Sequence, residues 1–249
     1  MRRAKFAHGI CATCCVALAL SAFTMLLAGA LAEAYGFTFT TIDVPDATET
    51  RAFDINAQGQ IVGFFSDAGG AIHGFLLDRG IFTTIDFPDA TQTTALAINA
   101  RGQIVGTQID VAGTSHGYLL DGGAFATIDV PGATFTTAQG INALGQIVGF
   151  YVDAGGTAHG YLLDHGTFTT IDVPGATLTE AVDINARGQI VGFYEAGDTF
   201  HGYLLDNSTF TTIDVPGAGR TFAEGINAHG QIVGFYGEAG GPFHGFVAE

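Results

Sequence analysis

Tryptophan is absent from these 249 residues, and lysine occurs once, at Lys5, with all three cysteines (Cys11, Cys14, Cys15) close behind it. From Tyr35 onward there is neither a thiol nor a side-chain amine, which excludes disulfides, thiolate nucleophiles and Schiff-base lysines there. Positive charge is equally scarce. Only Glu33 of the 24 acidic residues precedes Tyr35, so 23 acids face five arginines, a formal charge of −18. Such a surface repels a phosphate backbone, and nucleic acid is excluded as a partner. From Tyr35 onward serine is limited to Ser66, Ser115 and Ser208, none of them in Gly-x-Ser-x-Gly, so a serine hydrolase is not expected. What the chain has in quantity is glycine, 37 residues, with 47% hydrophobic residues. That is too apolar for disorder and too punctuated for a helical bundle, and an all-β protein is expected.

Segment 1–34 reads as an export signal, removed before the protein functions. Arg2, Arg3 and Lys5 form a basic head, an apolar run extends from Ile10 to Leu31, and small residues alternate near Ala34. The run is longer than most secretory cores, and an uncleaved membrane anchor is the alternative. The expected location is periplasmic, cell-surface or extracellular, with the membrane touched only through this segment. The remainder, 35–249, is expected to be one repeat domain.

From Phe39 the chain repeats itself. Tetrads of the form Ile-Asp-(Val/Phe)-Pro begin at Ile42, Ile85, Ile128, Ile171 and Ile213, an even spacing except that the last interval is shorter by one. The same rhythm recurs in Ile-Asn-Ala-x-Gly-Gln-Ile-Val-Gly, with its asparagines at Asn56, Asn99, Asn142, Asn185 and Asn227, and in His-Gly pairs starting at His73, His116, His159, His201 and His244. Three markers agree on five copies, with one deletion between Gly192 and His201.

Each copy alternates four short strand signals with turn signals, in copy three Phe135 to Asn142, Gln146 to Val152, His159 to Leu163 and Phe168 to Val173. The Gln-Ile-Val-Gly strand is apolar on both faces and must be covered on both sides. One copy has too few large apolar side chains to fold alone. Sheets stacked side by side solve both problems, and a period in the low forties with four strands is that of a β-propeller blade. The expectation is a five-bladed propeller with the Ile-Asn strand innermost and Phe-Thr-Thr-Ile-Asp outermost. The last copy lacks its fourth strand, and the first strand, Phe39 to Val44, is expected to supply it and close the ring. An open stack or β-solenoid is the alternative.

Ile-Asn-Ala-x-Gly-Gln-Ile-Val-Gly followed by His-Gly-(Phe/Tyr) resembles the bacterial extracellular repeat family named for its His-Ala-Phe triplet, the HAF repeat family, with glycine replacing the central alanine in all five copies. The resemblance spans about Phe39 to Glu249. It implies an exported, non-catalytic repeat protein of uncharacterised role and supplies no catalytic residues.

Two sets of acids are candidate ligand-face residues: Asp43, Asp86, Asp129, Asp172 and Asp214 before the prolines, and Asp67, Asp153 and Glu238 in the Ala-Gly-Gly loops. In a propeller these loops emerge on one face, which would be acidic and offer carboxylates and carbonyls to Ca²⁺. The spacing matches no EF-hand or calcium nonapeptide, and aspartate in a turn more often caps its own backbone. The repeated histidines are expected to bond a loop of their own blade rather than form a metal ring. The unrepeated Glu180, Glu195 and Glu224 read as loop solubilisers, and near-identical copies give no pair of carboxylates in different environments for catalysis. Copy two departs most, with Thr107-Gln108-Ile109, which is either a ligand notch or, more simply, repeat drift. The function expected is a binding or scaffolding module for a repetitive ligand such as a surface polysaccharide or an envelope component, without cofactor. A structural envelope or matrix protein and an extracellular glycan-active enzyme are the rival classes.

Overall fold

The computed structural model describes residues 38–238 and 240–249, so the export signal, or the anchor that is its alternative, lies outside the described residues. Among the described residues no helix is long and apolar enough to cross a membrane. The segment from Ile42 to Glu249 forms one compact unit. It holds five antiparallel sheets, each made by one copy of the repeat. The first contains β1 (Glu49–Ile55), β2 (Ile61–Ser66), β3 (Ile72–Asp78) and β4 (Ile81–Ile85). The second contains β5 (Gln92–Ile98), β6 (Ile104–Ile109), β7 (Ser115–Asp121) and β8 (Ala124–Ile128). The third contains β9 (Phe135–Thr136), β10 (Gly140–Ile141), β11 (Ile147–Val152), β12 (Ala158–Asp164) and β13 (Thr167–Ile171). The fourth contains β14 (Leu178–Ile184), β15 (Ile190–Ala196), β16 (Thr199–Asp206) and β17 (Thr209–Ile213). The fifth contains β18 (Arg220–Ile226), β19 (Ile232–Gly237) and β20 (Phe243–Ala248). Strands pair in chain order within each blade, so this is a five-bladed β-propeller. In the third blade β9 and β10 together occupy the place of one first strand, both pairing with β11.

The first strand of every blade lines the axis, as the sequence order requires. A channel of about 390 Å³ is walled by Phe53 and Asp54, Leu96 and Ala97, Gln139, Val182 and Asp183, and Glu224 and Gly225, so each copy contributes.

The motif glycines follow from one irregularity. The first strand bulges, between Ala52 and Asp54, Ala95 and Ala97, Ala181 and Asp183, and Ala223 and Gly225, and in blade three the irregularity splits the strand into β9 and β10. The bulge pushes a carbonyl onto the glycine of Gln-Ile-Val-Gly. A Cβ at Gly149 would lie 2.1 Å from the Thr137 carbonyl oxygen, and at Gly192 2.0 Å from that of Glu180. Both neighbours are backbone and cannot yield, so only glycine fits.

Blades pack by a repeated contact. Val62, Val105, Val148 and Val191 are fully buried, each on a second strand, and they face the alanine and isoleucine of the next first strand, as Val148 meets Ala181 and Ile184. A second tie is polar. The Nδ2 of Asn56 donates to the carbonyl of Asn99, Asn99 to Asn142, Asn142 to Asn185 and Asn185 to Asn227, at 3.0–3.1 Å. The Oδ1 of each asparagine accepts two N–H groups of its own turn, as Asn142 does from Leu144 and Gln146.

Between the fifth and first blades these contacts are missing. Val233 is 51% exposed and Ile55 61%, where their counterparts elsewhere are buried, and among the described residues no bond joins Asn227 to Asn56. Phe39 to Val44, the expected closing strand, has no strand conformation, and the fifth sheet is formed of three strands.

The bulge makes a prediction. Gly149→Ala should lower stability by about 3 kcal/mol, read as a fall in the urea midpoint at unchanged slope, whereas Gly156→Ala, with nothing within 4 Å of its Cβ position, should cost only the strain of its positive φ.

Candidate functional site

The third strand of each blade begins with the His-Gly pair, which places the imidazole at the end of the sheet where the second-to-third-strand loop and the exit from the fourth strand meet. Nδ1 of His73 donates to Asp86 at 2.8 Å, and its Nε2 lies 3.6 Å from Asp67. The arrangement recurs at His116, with Asp129 at 2.8 Å and Asp110 at 3.5 Å, and at His159, with Asp172 at 2.9 Å and Asp153 at 3.5 Å. An aromatic ring from the second strand stacks on the imidazole, Phe65 on His73, Tyr151 on His159 and Tyr194 on His201, at 5.1–5.2 Å. In copy two Gln108 stands opposite His116 instead, and its Oε1 is buried without a partner.

The loop acids also hold their own turns. Oδ1 of Asp67 accepts the N–H groups of Gly69 and Ala71, that of Asp110 those of Ala112 and Thr114, and that of Asp153 those of Gly155 and Thr157. A backbone N–H, first of all that of Ala71, Thr114 and Thr157 respectively, therefore holds the three carboxyls below the usual aspartate range. The histidines move the other way. The Asp86 carboxylate raises His73, while at His116 and His159 burial is the largest influence and opposes charging, yet the paired aspartates outweigh it and both are raised.

Six of the eight acids singled out in the sequence, Asp67, Asp86, Asp129, Asp153, Asp172 and Asp214, thus meet a histidine, Asp214 reaching His201 at 2.9 Å. Glu238 stands 3.8 Å from His244, and Asp43 meets none among the described residues. Blade four has no loop acid on His201, since the one-residue deletion falls in that loop. Asp110 belongs to the set and escapes a reading by loop composition because its loop is Asp-Val-Ala-Gly rather than Asp-Ala-Gly-Gly; its signal is its place six positions before the histidine, as at Asp67 and Asp153. Among the described residues no group of three or more His, Cys, Asp or Glu side chains is disposed to hold a metal ion. The carboxylates that a cation would need are turned to imidazoles and turn amides.

Two acids stand apart. Glu180 and Glu224 are on the first strands β14 and β18, which corrects their assignment as loop solubilisers: the copies differ at these positions, Glu180 is half-buried on its strand, and Glu224 faces the axial channel. Burial, with Glu224 nearby, pushes the Glu180 carboxyl up from 4.5 to about 7, and burial raises Glu224 as well. Asp183 is raised by burial even though it accepts the N–H groups of Ile226 and Ile184 at 2.8 Å.

These shifts have opposite signs in pH. A carboxyl raised in the folded state binds its proton more tightly there, so stability falls as pH climbs from about 4.5 through about 7 at Glu180. The raised histidines act in the same sense: their contribution is complete below their unfolded value near 6.5 and is lost as pH rises through the folded value. The lowered aspartates contribute above their unfolded value near 3.8 and lose it as pH falls. Thermal unfolding should therefore give a higher midpoint at pH 5.5 than at pH 8, and Glu180→Gln should narrow that difference by raising the pH 8 value; an unchanged difference would remove Glu180 from the account.

No family model and no curated protein matches this chain. Solved structures do. TolB from Acinetobacter baumannii superposes with a TM-score of 0.60 at 16% identity, covering 76% of this chain and 50% of that one. A putative TolB from Agrobacterium tumefaciens gives 0.57 at 15% identity, covering 80% and 81%. A triple arginine mutant of AofleA from Arthrobotrys oligospora gives 0.52 at 14%, covering 80% and 69%. This chain thus spans half the length of the first TolB structure. At such identities the likeness is one of fold, and it agrees with the sheet order: the chain has the architecture of a β-propeller.

Proposed function

We propose that this is an exported, non-catalytic HAF-type repeat protein whose propeller presents a multivalent surface to a repetitive extracellular ligand such as a surface polysaccharide. The observation that carries this reading is the histidine–acid clamp. It pins the second-to-third-strand loop to the exit of the fourth strand in one blade after another, giving equivalent, stiffened loop pairs at one end of the strands. Equivalent weak sites gain strength through avidity toward a repeating ligand and gain little toward a single small molecule. A glycan array run with and without Ca²⁺ tests the reading: binding should fall in steps as Asp67, Asp110 and Asp153 are changed to asparagine one after another. Full loss on a single change, or no binding at all, would count against it.

The ring is completed, in this proposal, by Phe39 to Val44 as the fourth strand of the fifth blade. In the four complete blades the His-Gly glycine pairs with the isoleucine eleven positions on, Gly202 with Ile213 for example. The same register sets Ile42 opposite Gly245 and brings Asp43 to His244, the histidine that lacks its aspartate. A Cβ at Gly202 would sit 3.1 Å from the Ile213 carbonyl oxygen and 3.4 Å from Ala223, whereas at Gly245 it meets only a carbonyl oxygen at 3.8 Å. Closure therefore predicts that Gly245→Ala destabilises about as much as Gly202→Ala, roughly 2 kcal/mol, in urea unfolding. A neutral Gly245→Ala leaves the seam open, and a protein that is dimeric until 38–44 is removed would favour the envelope or matrix class instead.

A further inference from the structure

We infer that the groove between blades three and four, which runs from Asp172 of the blade-three clamp to the blade-four turns that precede β15 and β17, binds a neutral sugar ring of a polysaccharide, with Arg187 as its principal hydrogen-bond donor. The two ends of the strands are distinct. Gln189 Nε2 donates to Asp206 at 3.0 Å, tying the turn before β15 to the turn after β16, and these turns lie away from the loops that hold the clamps. Beside them is a groove of about 380 Å³ whose walls include Leu162, Thr169, Asp172, Arg187, Ser208 and Phe210. That is within the usual size of a ligand cleft.

Two departures from the repeat converge there. Arg187 occupies the turn position held elsewhere by Gln58, Arg101, Leu144 and His229. Among the described residues the arginines in ion pairs are Arg51 and Arg79, and Arg187 has none, although the protein carries a net charge of −16. Ser208 is the second. It adopts a left-handed backbone, φ 66°, at the place where the other blades have Gly80, Gly123 and Gly166. A side chain there costs backbone strain and places a hydroxyl on the rim of the groove. Arg101 is the other arginine at this turn position; its guanidinium lies against Gly145 of blade three, and the turn of its own blade that corresponds to Asn207-Ser208 is Gly122-Gly123, without a hydroxyl.

The lining sorts by chemistry. The Arg187 guanidinium and the Thr169 and Ser208 hydroxyls can donate; the Asp172 carboxylate, whose Oδ1 is taken by His159, can accept through its other oxygen; Leu162 and Phe210 contribute apolar lining. A pyranose ring matches this set, with vicinal hydroxyls for the guanidinium fork and the carboxylate and a C–H face for the apolar lining. The acidic surface around the groove opposes a polyanion. The inference shares with the reading above the ligand class and one residue, Asp172; its test therefore changes Arg187 and Ser208, which belong to no clamp, so that its failure is distinct from a failure of that reading.

The test is calorimetric titration with cellotetraose, maltotetraose, xylotetraose and mannotetraose, with tetragalacturonate as the anionic arm. A neutral tetramer should bind; Arg187→Ala should weaken it roughly tenfold or more; Arg101→Ala should bind as the parent protein does. Ser208→Gly should weaken it too while raising the melting temperature, which separates loss of binding from loss of fold. Binding of tetragalacturonate alone, no neutral tetramer bound, or an affinity unchanged by Arg187→Ala would overturn the assignment.

Discussion

Everything in this propeller depends on one blade shielding the next. A second strand such as β11 is apolar on both faces, and Val148 reaches full burial only because Ala181 and Ile184 of the following blade lie over it. The asparagine links run alongside that contact, each satisfying a turn and a neighbouring carbonyl at once. Where no following blade is seated, at Val233 and Ile55, the same residue types are exposed. The stability of each blade is thus borrowed from its neighbour, which is why a repeat this short occurs in series.

The histidine clamp is a second, polar device with a similar logic. A carboxylate that caps a loop and an imidazole that bonds the exit of the fourth strand need little burial to be worth forming, because each hydrogen bond also satisfies a turn. The consequence is electrostatic. An acidic chain commits much of its negative charge at one end of the strands to internal partners, and the uncompensated chemistry lies elsewhere: in the interacting Glu180 and Glu224 carboxyls of the first strands of blades four and five, and in Arg187 at the far rim.

Much of the fold is legible because repetition multiplies weak signals. A single Asn-Ala-x-Gly turn says little, but five of them in near-equal register locate every blade. Some details are not legible. Asp110 is overlooked when loop composition is weighed above distance from the histidine, and the asparagine ladder is invisible because each Nδ2 acts on the equivalent residue one whole repeat away. The glutamates mislead because each stands at a first-strand position that is acidic in one copy alone, Glu180 where the others have Arg51, Thr94, Thr137 and Phe222, and Glu224 where they have Phe53, Leu96, Gln139 and Val182. The broken first strand of blade three is a local accommodation of the bulge that the other first strands also carry, and no residue in Phe135 to Ile141 announces it.

By itself the sequence determined the number of blades and their strand order, since these follow from local spacing and alternation repeated five times. Only the tertiary structure decided which carboxylates pair with histidines, which acids are pushed toward protonation between blades, and that Arg187 and Ser208, far apart along the chain, share one groove. Charge state and site geometry arise from what surrounds a side chain, and a repeat written along one line does not specify which of its copies' differences will face each other.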